Sequence, residues 1–348
     1  MKYRRLGSSG LKVSELCLGT MTFGSDFFNI AEVDQDLATR MVERALEAGV
    51  NFFDTANIYS YGQSERILGN ALEDIGVDRK DVVVATKVRG AMSEEAAEGT
   101  GDVNNVGLSR KHIFESCHAS LERLGLDCID LYQVHGWDPD APIEETLAAL
   151  NDLVRSGYVR YIGCSNWSAR HLMKALGICR KNNWACFESL QAYYSLANRD
   201  LEHELLPLCN EEGLGVMPWS PLSGGFLTGK YGRGSSTPDN ARRVDFDFPP
   251  VKEEQGYEAI EQMRDISERT GASLPQIALR WLSDREGVSS VIVGARNMEQ
   301  LDDNLGAAEI ELSREDTSTL NEITHPPVHY PEWMYAKMAN EELSEHVE

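Results

Sequence analysis

Eight short runs rich in β-branched and aromatic residues recur along this chain, with amphipathic stretches of helical spacing between them. The runs are 14-SELCLGT-20, 51-NFFDTA-56, 82-VVVATKV-88, 128-CIDLYQVHG-136, 161-YIGCSN-166, 189-SLQAYYS-195, 215-GVMPWS-220 and 289-SSVIVGA-295. Segments such as 36-DLATRMVERALEAG-49, 109-SRKHIFESCHASLERLG-125 and 143-IEETLAALNDLVRSG-157 carry apolar residues at i, i+3 and i+4 and stop at glycine. Strict alternation of this kind predicts a parallel sheet with crossover helices. Eight units predict closure into a (β/α)8 TIM barrel, since a doubly wound open sheet usually stops nearer six strands. The opening 1-MKYRRLGSSGLKV-13 reads instead as a hairpin around a Ser-Ser-Gly turn, suited to capping one end of the barrel.

The last inter-strand gap is far longer than the others. It holds the Gly/Pro/Ser-rich 221-PLSGGFLTGKYGRGSSTPDNARRVDFDFPP-250 and then the helical 255–271 and 274–287; a second irregular stretch, 91–107, follows the third strand. Long loops in compact domains are usually functional or disordered. The expected organisation is one domain over 1–348, with the hairpin at 1–13 and a tail at 326–348.

Composition works mainly by exclusion. Lys plus Arg number 33 against 56 Asp plus Glu, and a net charge of −23 argues against nucleic acid and anionic membranes as partners. No apolar run approaches the ~20 residues of a membrane span, and the N-terminus lacks the apolar segment of a signal peptide, so a cytoplasmic protein is expected. Seven scattered cysteines with no C-x-x-C pair read as reduced core thiols, and no metal site is expected.

In such barrels the active site lies at the C-terminal ends of the strands. Those ends carry Asp54, Lys87, His135, Ser165 with Asn166, Gln191, Trp219 with Ser220, and Gly294 with Arg296. Each alone has a plain reading: Lys87 as an exposed strand-terminal lysine, His135 as a satisfied histidine, Asp54 as a turn residue. Together they point into one mouth. Tyr59 joins them from the loop 54-DTANIYSYGQSE-65. A phenol of ordinary pKa near 10 is a poor acid at neutral pH, but an adjacent ammonium stabilises its phenolate and a buried carboxylate keeps that ammonium charged. Tyr59 is then expected to protonate a carbonyl oxygen, with His135 as a second donor, while hydride reaches the carbon. None of these side chains supplies hydride, so a redox cofactor is required.

The segments 5-RLGSSGLKVSELCLGTMTFG-24, 49-GVNFFDTANIYSYGQSERILG-69, 127-DCIDLYQVHGWD-138, 159-VRYIGCSNW-167, 218-PWSPLSGGFLTGKY-231 and 291-VIVGARNMEQLDDN-304 resemble, in order, motifs of the aldo-keto reductases. The resemblance covers residues 1 to about 325. It implies an NADPH-dependent oxidoreductase acting on an aldehyde or ketone, with the family's catalytic tetrad at Asp54, Tyr59, Lys87 and His135. It also implies that Ser165, Asn166 and Gln191 hold the nicotinamide carboxamide and that Trp219 stacks on its ring. Ser220, Pro221, Leu222, Gly224 and Lys230 fall in the pyrophosphate loop, and Gly19, Thr20 and Met21 line the same cleft. Gly294, Arg296, Gln300, Asp303 and Asn304 fall near the adenosine end, with Arg242 as a further candidate. The 294-GAR-296 stretch resembles the subset that includes potassium-channel β subunits, so a nucleotide-sensing binding protein with vestigial reductase activity is the second reading. A third, a lyase or isomerase forming a Schiff base on Lys87, requires Lys87 free of a tyrosine partner. With no basic cluster for a sugar phosphate, the expected substrates are uncharged aldehydes and ketones.

Overall fold

The computed structural model describes residues 1–25, 33–231, 243, 247–335 and 337–338. Strands β1 (Tyr3–Arg5) and β2 (Lys12–Ser14) form an antiparallel hairpin. The remaining strands are β3 (Leu16–Gly19), β4 (Phe52–Asp54), β5 (Val83–Val88), β6 (Ile129–Val134), β7 (Val159–Ser165), β8 (Phe187–Tyr193), β9 (Gly215–Trp219) and β10 (Val291–Val293). They make one parallel sheet in the order β10-β3-β4-β5-β6-β7-β8-β9. The seam between β9 and β10 is held by a parallel bridge from Val216 to Val288, where the Ser289 amide donates to the Val216 carbonyl at 2.9 Å. The expected eight-stranded barrel with its N-terminal hairpin is therefore observed.

Helices end where the sequence places its stops. Ser109 and Ser168 cap Arg110–Leu124 and Ala169–Asn182 by accepting amides of the first turn, and Gly125 closes the former in a left-handed conformation. Ser273 and Gln276 form a capping box on Leu274–Ser283. The loop at 91–107, expected to be irregular, carries one short helix at Glu94–Glu98.

Alternation along the strands builds two cores. Residues facing outward meet the helices in the main apolar core. Residues facing inward, Cys17, Phe52, Val83, Ala85, Leu131, Met217 and Ile292, fill the barrel together with Leu6 and Val13 of the hairpin region. The hairpin thus plugs the barrel's lower end. Gly7 fits there only because it lacks a side chain: its φ is +59°, and a Cβ would lie 2.5 Å from the Gly213 carbonyl oxygen.

Candidate active site

The inward-facing positions continue upward by twos, and apolar residues give way to polar ones. Phe52 is followed by Asp54, Ala85 by Lys87, Leu131 by Gln133 and then His135, Ser189 by Gln191, and Met217 by Trp219. The site is the next tier of the barrel interior. At its centre Lys87 Nζ lies 2.6 Å from Asp54 Oδ2, 2.8 Å from the Thr55 carbonyl oxygen and 3.2 Å from Tyr59 Oη. Asp54 Oδ1 accepts from Gln133 Nε2 at 3.0 Å and from Gln191 Nε2 at 2.9 Å. Gln133 was not anticipated from the sequence, although its position two residues before His135 marks it as inward-facing.

A buried ion pair loses hydration on both partners and is held when every remaining donor and acceptor is matched. Here each is. Burial pushes the Lys87 ammonium down, but Asp54 and Tyr59 more than offset it, and the net direction is up. A charged, tyrosine-bonded Lys87 does not meet the requirement of the Schiff-base alternative. For Tyr59 the sequence expectation needs correction. Burial pushes the phenol up, Lys87 pulls it back, Asp54 acts with burial, and the net direction is upward. The phenol is therefore protonated through the neutral range.

The His135 ring meets the Tyr59 ring edge to face, with centroids 5.6 Å apart. Burial, followed by the charges of Lys87 and Arg89, holds His135 well below the usual histidine value. It is a neutral imidazole at neutral pH, with one N–H to donate.

The cofactor candidates divide into open and committed groups. Ser165 is directly paired with Gln191 in the β7–β8 register, and its hydroxyl is buried without a hydrogen-bond partner among the described residues. Gln191 gives its amide N–H to Asp54, leaving its amide oxygen without a partner among the described residues. Asn166, at φ +56°, donates to the His135 carbonyl oxygen at 3.2 Å and accepts from Trp219 Nε1 at 3.0 Å. Trp219 stacks near Tyr193 and Phe248, with centroids 5.1 and 5.6 Å away. Ser220 Oγ accepts from the Gly224 amide at 3.2 Å, and Pro221 is buried while Leu222 is partly exposed. Gly224 has φ +65°, and a Cβ there would lie 2.6 Å from the Phe248 carbonyl oxygen. Lys230 is exposed.

Gly19 ends β3, and Met21 packs beside Tyr59. Thr20, expected to line the cleft, is fully buried instead: its hydroxyl meets Ser64 Oγ at 2.8 Å and the Asp54 carbonyl oxygen at 3.3 Å. Near β10, Asn304 donates to the exposed Gly294's carbonyl oxygen, Asp303 accepts from Gln276, and Gln300 accepts the Arg296 amide. Arg296 itself makes no ion pair among the described residues, and Asp302 on the following helix is held by Arg44 at 2.7 Å. Arg242 lies outside the described residues. Its neighbour Arg243 ties the Ser223 carbonyl oxygen to that of Pro249, at 3.0 and 2.8 Å. In the tail, Tyr330, Trp333 and Tyr335 are exposed.

The family model for aldo/keto reductases matches residues 15–325. The chain belongs to that family. Aldo/keto reductases similar to it include AFTS1 of Alternaria alternata, 36% identical over 90% of this chain and 89% of the relative. The versiconal hemiacetal acetate reductase of Aspergillus parasiticus is 33% identical over 95% of this chain and 99% of the relative. The uncharacterized oxidoreductase YrpG of Bacillus subtilis strain 168 is 38% identical over 94% and 97%. This aldo/keto reductase is accordingly an oxidoreductase, and no helix among its described residues is long and apolar enough to cross a membrane.

Proposed function

We propose that this aldo/keto reductase uses NADPH to reduce aldehydes or ketones, and in reverse oxidises the alcohols, with Tyr59 as general acid. The observation that carries the reading is the chain of contacts from Asp54 through Lys87 to Tyr59, with the His135 ring edge beside the phenol. Tyr59 holds a proton at its hydroxyl. Lys87 lies where its charge stabilises the phenolate left when that proton moves to a carbonyl oxygen. Asp54 keeps Lys87 charged and aimed. Neutral His135 donates its N–H to the same oxygen and so fixes the carbonyl's orientation.

NADPH, when bound, supplies the hydride. The orphaned Ser165 hydroxyl and the open Gln191 amide oxygen suit a carboxamide, which offers both a donor and an acceptor. Asn166 and Trp219 would complete the nicotinamide end, with Gly19 and Met21 along the cleft. Ser220, Pro221, Leu222, Gly224 and Lys230 would follow the pyrophosphate, while Gly294, Arg296, Gln300, Asp303 and Asn304 serve the adenosine end. The preference for NADPH rests on Arg296, whose guanidinium has no ion-pair partner among the described residues and stands beside the N-terminus of Met298–Gly306.

The test is NADPH consumption with 4-nitrobenzaldehyde by the wild type and by Tyr59→Phe. Loss of a positioned proton donor is expected to lower kcat at least ~10²-fold while NADPH binding, followed by fluorescence, is retained. Undiminished turnover in the variant would sink the assignment. NADPH binding by the wild type with no turnover of any carbonyl would favour the nucleotide-sensing reading instead.

A further inference from the structure

Arg89 stands two residues beyond Lys87, just past the end of β5. Its φ of +145° lies in a region that side-chain-bearing residues rarely adopt and that concentrates at ligand-binding and active sites. Two contacts hold it there. Its carbonyl oxygen accepts the Gly107 amide at 2.9 Å, and its Nε donates to the Trp137 carbonyl oxygen at 2.9 Å. The side chain runs across Gly136, where a Cβ would meet its Nε at 3.6 Å, and so lies beside His135, whose proton affinity its charge depresses.

In a chain of net charge −23, arginines find carboxylates easily. Among the described residues, every arginine that is not exposed has one within 4.0 Å except two, Arg89 and Arg296. Arg296 is accounted for by the proposed cofactor phosphate. Asp138, the acidic residue closest in sequence to Gly136, is taken by the backbone amides of Leu108 and Asp140. Arg89 therefore presents the outer nitrogens of a partly buried guanidinium, with no anion among the described residues, beside His135, one of the two groups that would hold a carbonyl oxygen.

We propose that Arg89 receives a carboxylate carried by the substrate, so that the preferred substrates are aldehydes or ketones bearing a carboxylate rather than the uncharged ones expected from sequence. The inference rests on the reductase reading above. A planar guanidinium grips a carboxylate by two parallel hydrogen bonds, and partial burial strengthens the attraction. Read from the sequence alone, Arg89 is an ordinary basic residue after a strand end; its positive φ and its place across Gly136 belong to the folded chain.

The experiment compares matched pairs that differ only in charge: 4-carboxybenzaldehyde against methyl 4-formylbenzoate, and succinic semialdehyde against its methyl ester. In the wild type, kcat/KM for the acid is expected to exceed that for the ester about 10- to 100-fold, mainly through KM, the range for charged hydrogen bonds. In Arg89→Gln that ratio should collapse towards one, and Arg89→Lys should keep part of it. Because acid and ester are read on the same variant, any general loss of folding cancels from the ratio. A wild-type ratio near one, or a ratio that survives Arg89→Gln, overturns the proposal. Failure of the wild type to oxidise NADPH with either partner overturns the reductase reading and this proposal with it.

Discussion

Lys87 shows how a full charge is kept inside a barrel: each donor it retains is met, by Asp54, the Thr55 carbonyl and Tyr59. Lys87→Met would strand the Asp54 carboxylate with only two glutamine amides. The expected cost is about 3–5 kcal/mol of stability, beyond the loss of turnover, and a urea midpoint unchanged from wild type would refute it. The upward direction at Tyr59 and the downward one at His135 fix a pH profile. Reduction needs Tyr59 protonated, so kcat/KM should stay level through neutral pH and fall only above the ordinary tyrosine value near 10, with no inflection at the ordinary histidine value near 6.5. An acid limb centred near 6.5 would contradict the neutral His135. Stability follows the same sign: the folded chain resists protonating His135, so stability is full above about pH 6.5 and falls as the pH drops towards the depressed folded value. At the other end of the cleft, Arg296→Ala should weaken NADPH by roughly 1.5–3 kcal/mol and leave NADH nearly unchanged; titration showing equal losses would remove Arg296 from the 2′-phosphate. Asp54, Lys87 and His135 were legible because they end recognisable strands. Gln133 was overlooked because an uncharged amide inside a strand looks like neither core nor chemistry until its carboxylate partner is known.

The hairpin and the segment after β9 that Arg243 ties together show what strand patterning can and cannot deliver. The Ser-Ser-Gly turn announced the hairpin, but only the packed structure shows Leu6 and Val13 completing the barrel's inner core. Gly7→Ala combines a left-handed φ with collisions against the Gly213, Gly215 and Glu188 backbones. A loss of about 2–4 kcal/mol is expected from the two penalties together, with kcat per folded molecule preserved because the hairpin sits at the opposite end from Tyr59. Thermal unfolding and active-site titration would separate these effects, and an unaltered midpoint would show that the hairpin yields. The segment around Ser223 and Pro249, drawn together by Arg243, was not legible. Its composition marks a loop, and nothing in the spacing says which arginine anchors it.

Counting strands was enough to foresee a closed barrel, because eight alternating units leave few other ways to bury a parallel sheet. How the ring closes was beyond that count. β10 has three residues, pairs fully with β3 and meets β9 through the short Val216–Val288 connection. A chain ending at residue 286 would lose that closure, and it should unfold without a cooperative transition and be cut rapidly by protease; a sharp calorimetric peak would show that the open sheet stands by itself. The seam also sets a schedule for synthesis. β3 is among the first barrel residues to leave the ribosome, and its β10 partner follows about 275 residues later, which at ~5–20 residues per second is roughly 14–55 s. Through that interval one edge of Leu16–Gly19 waits unpaired in a crowded cell, open to other chains. Production of this protein is therefore most exposed to aggregation before its last strand appears, and slowing translation upstream of Val291 should lower the yield more than slowing it afterwards.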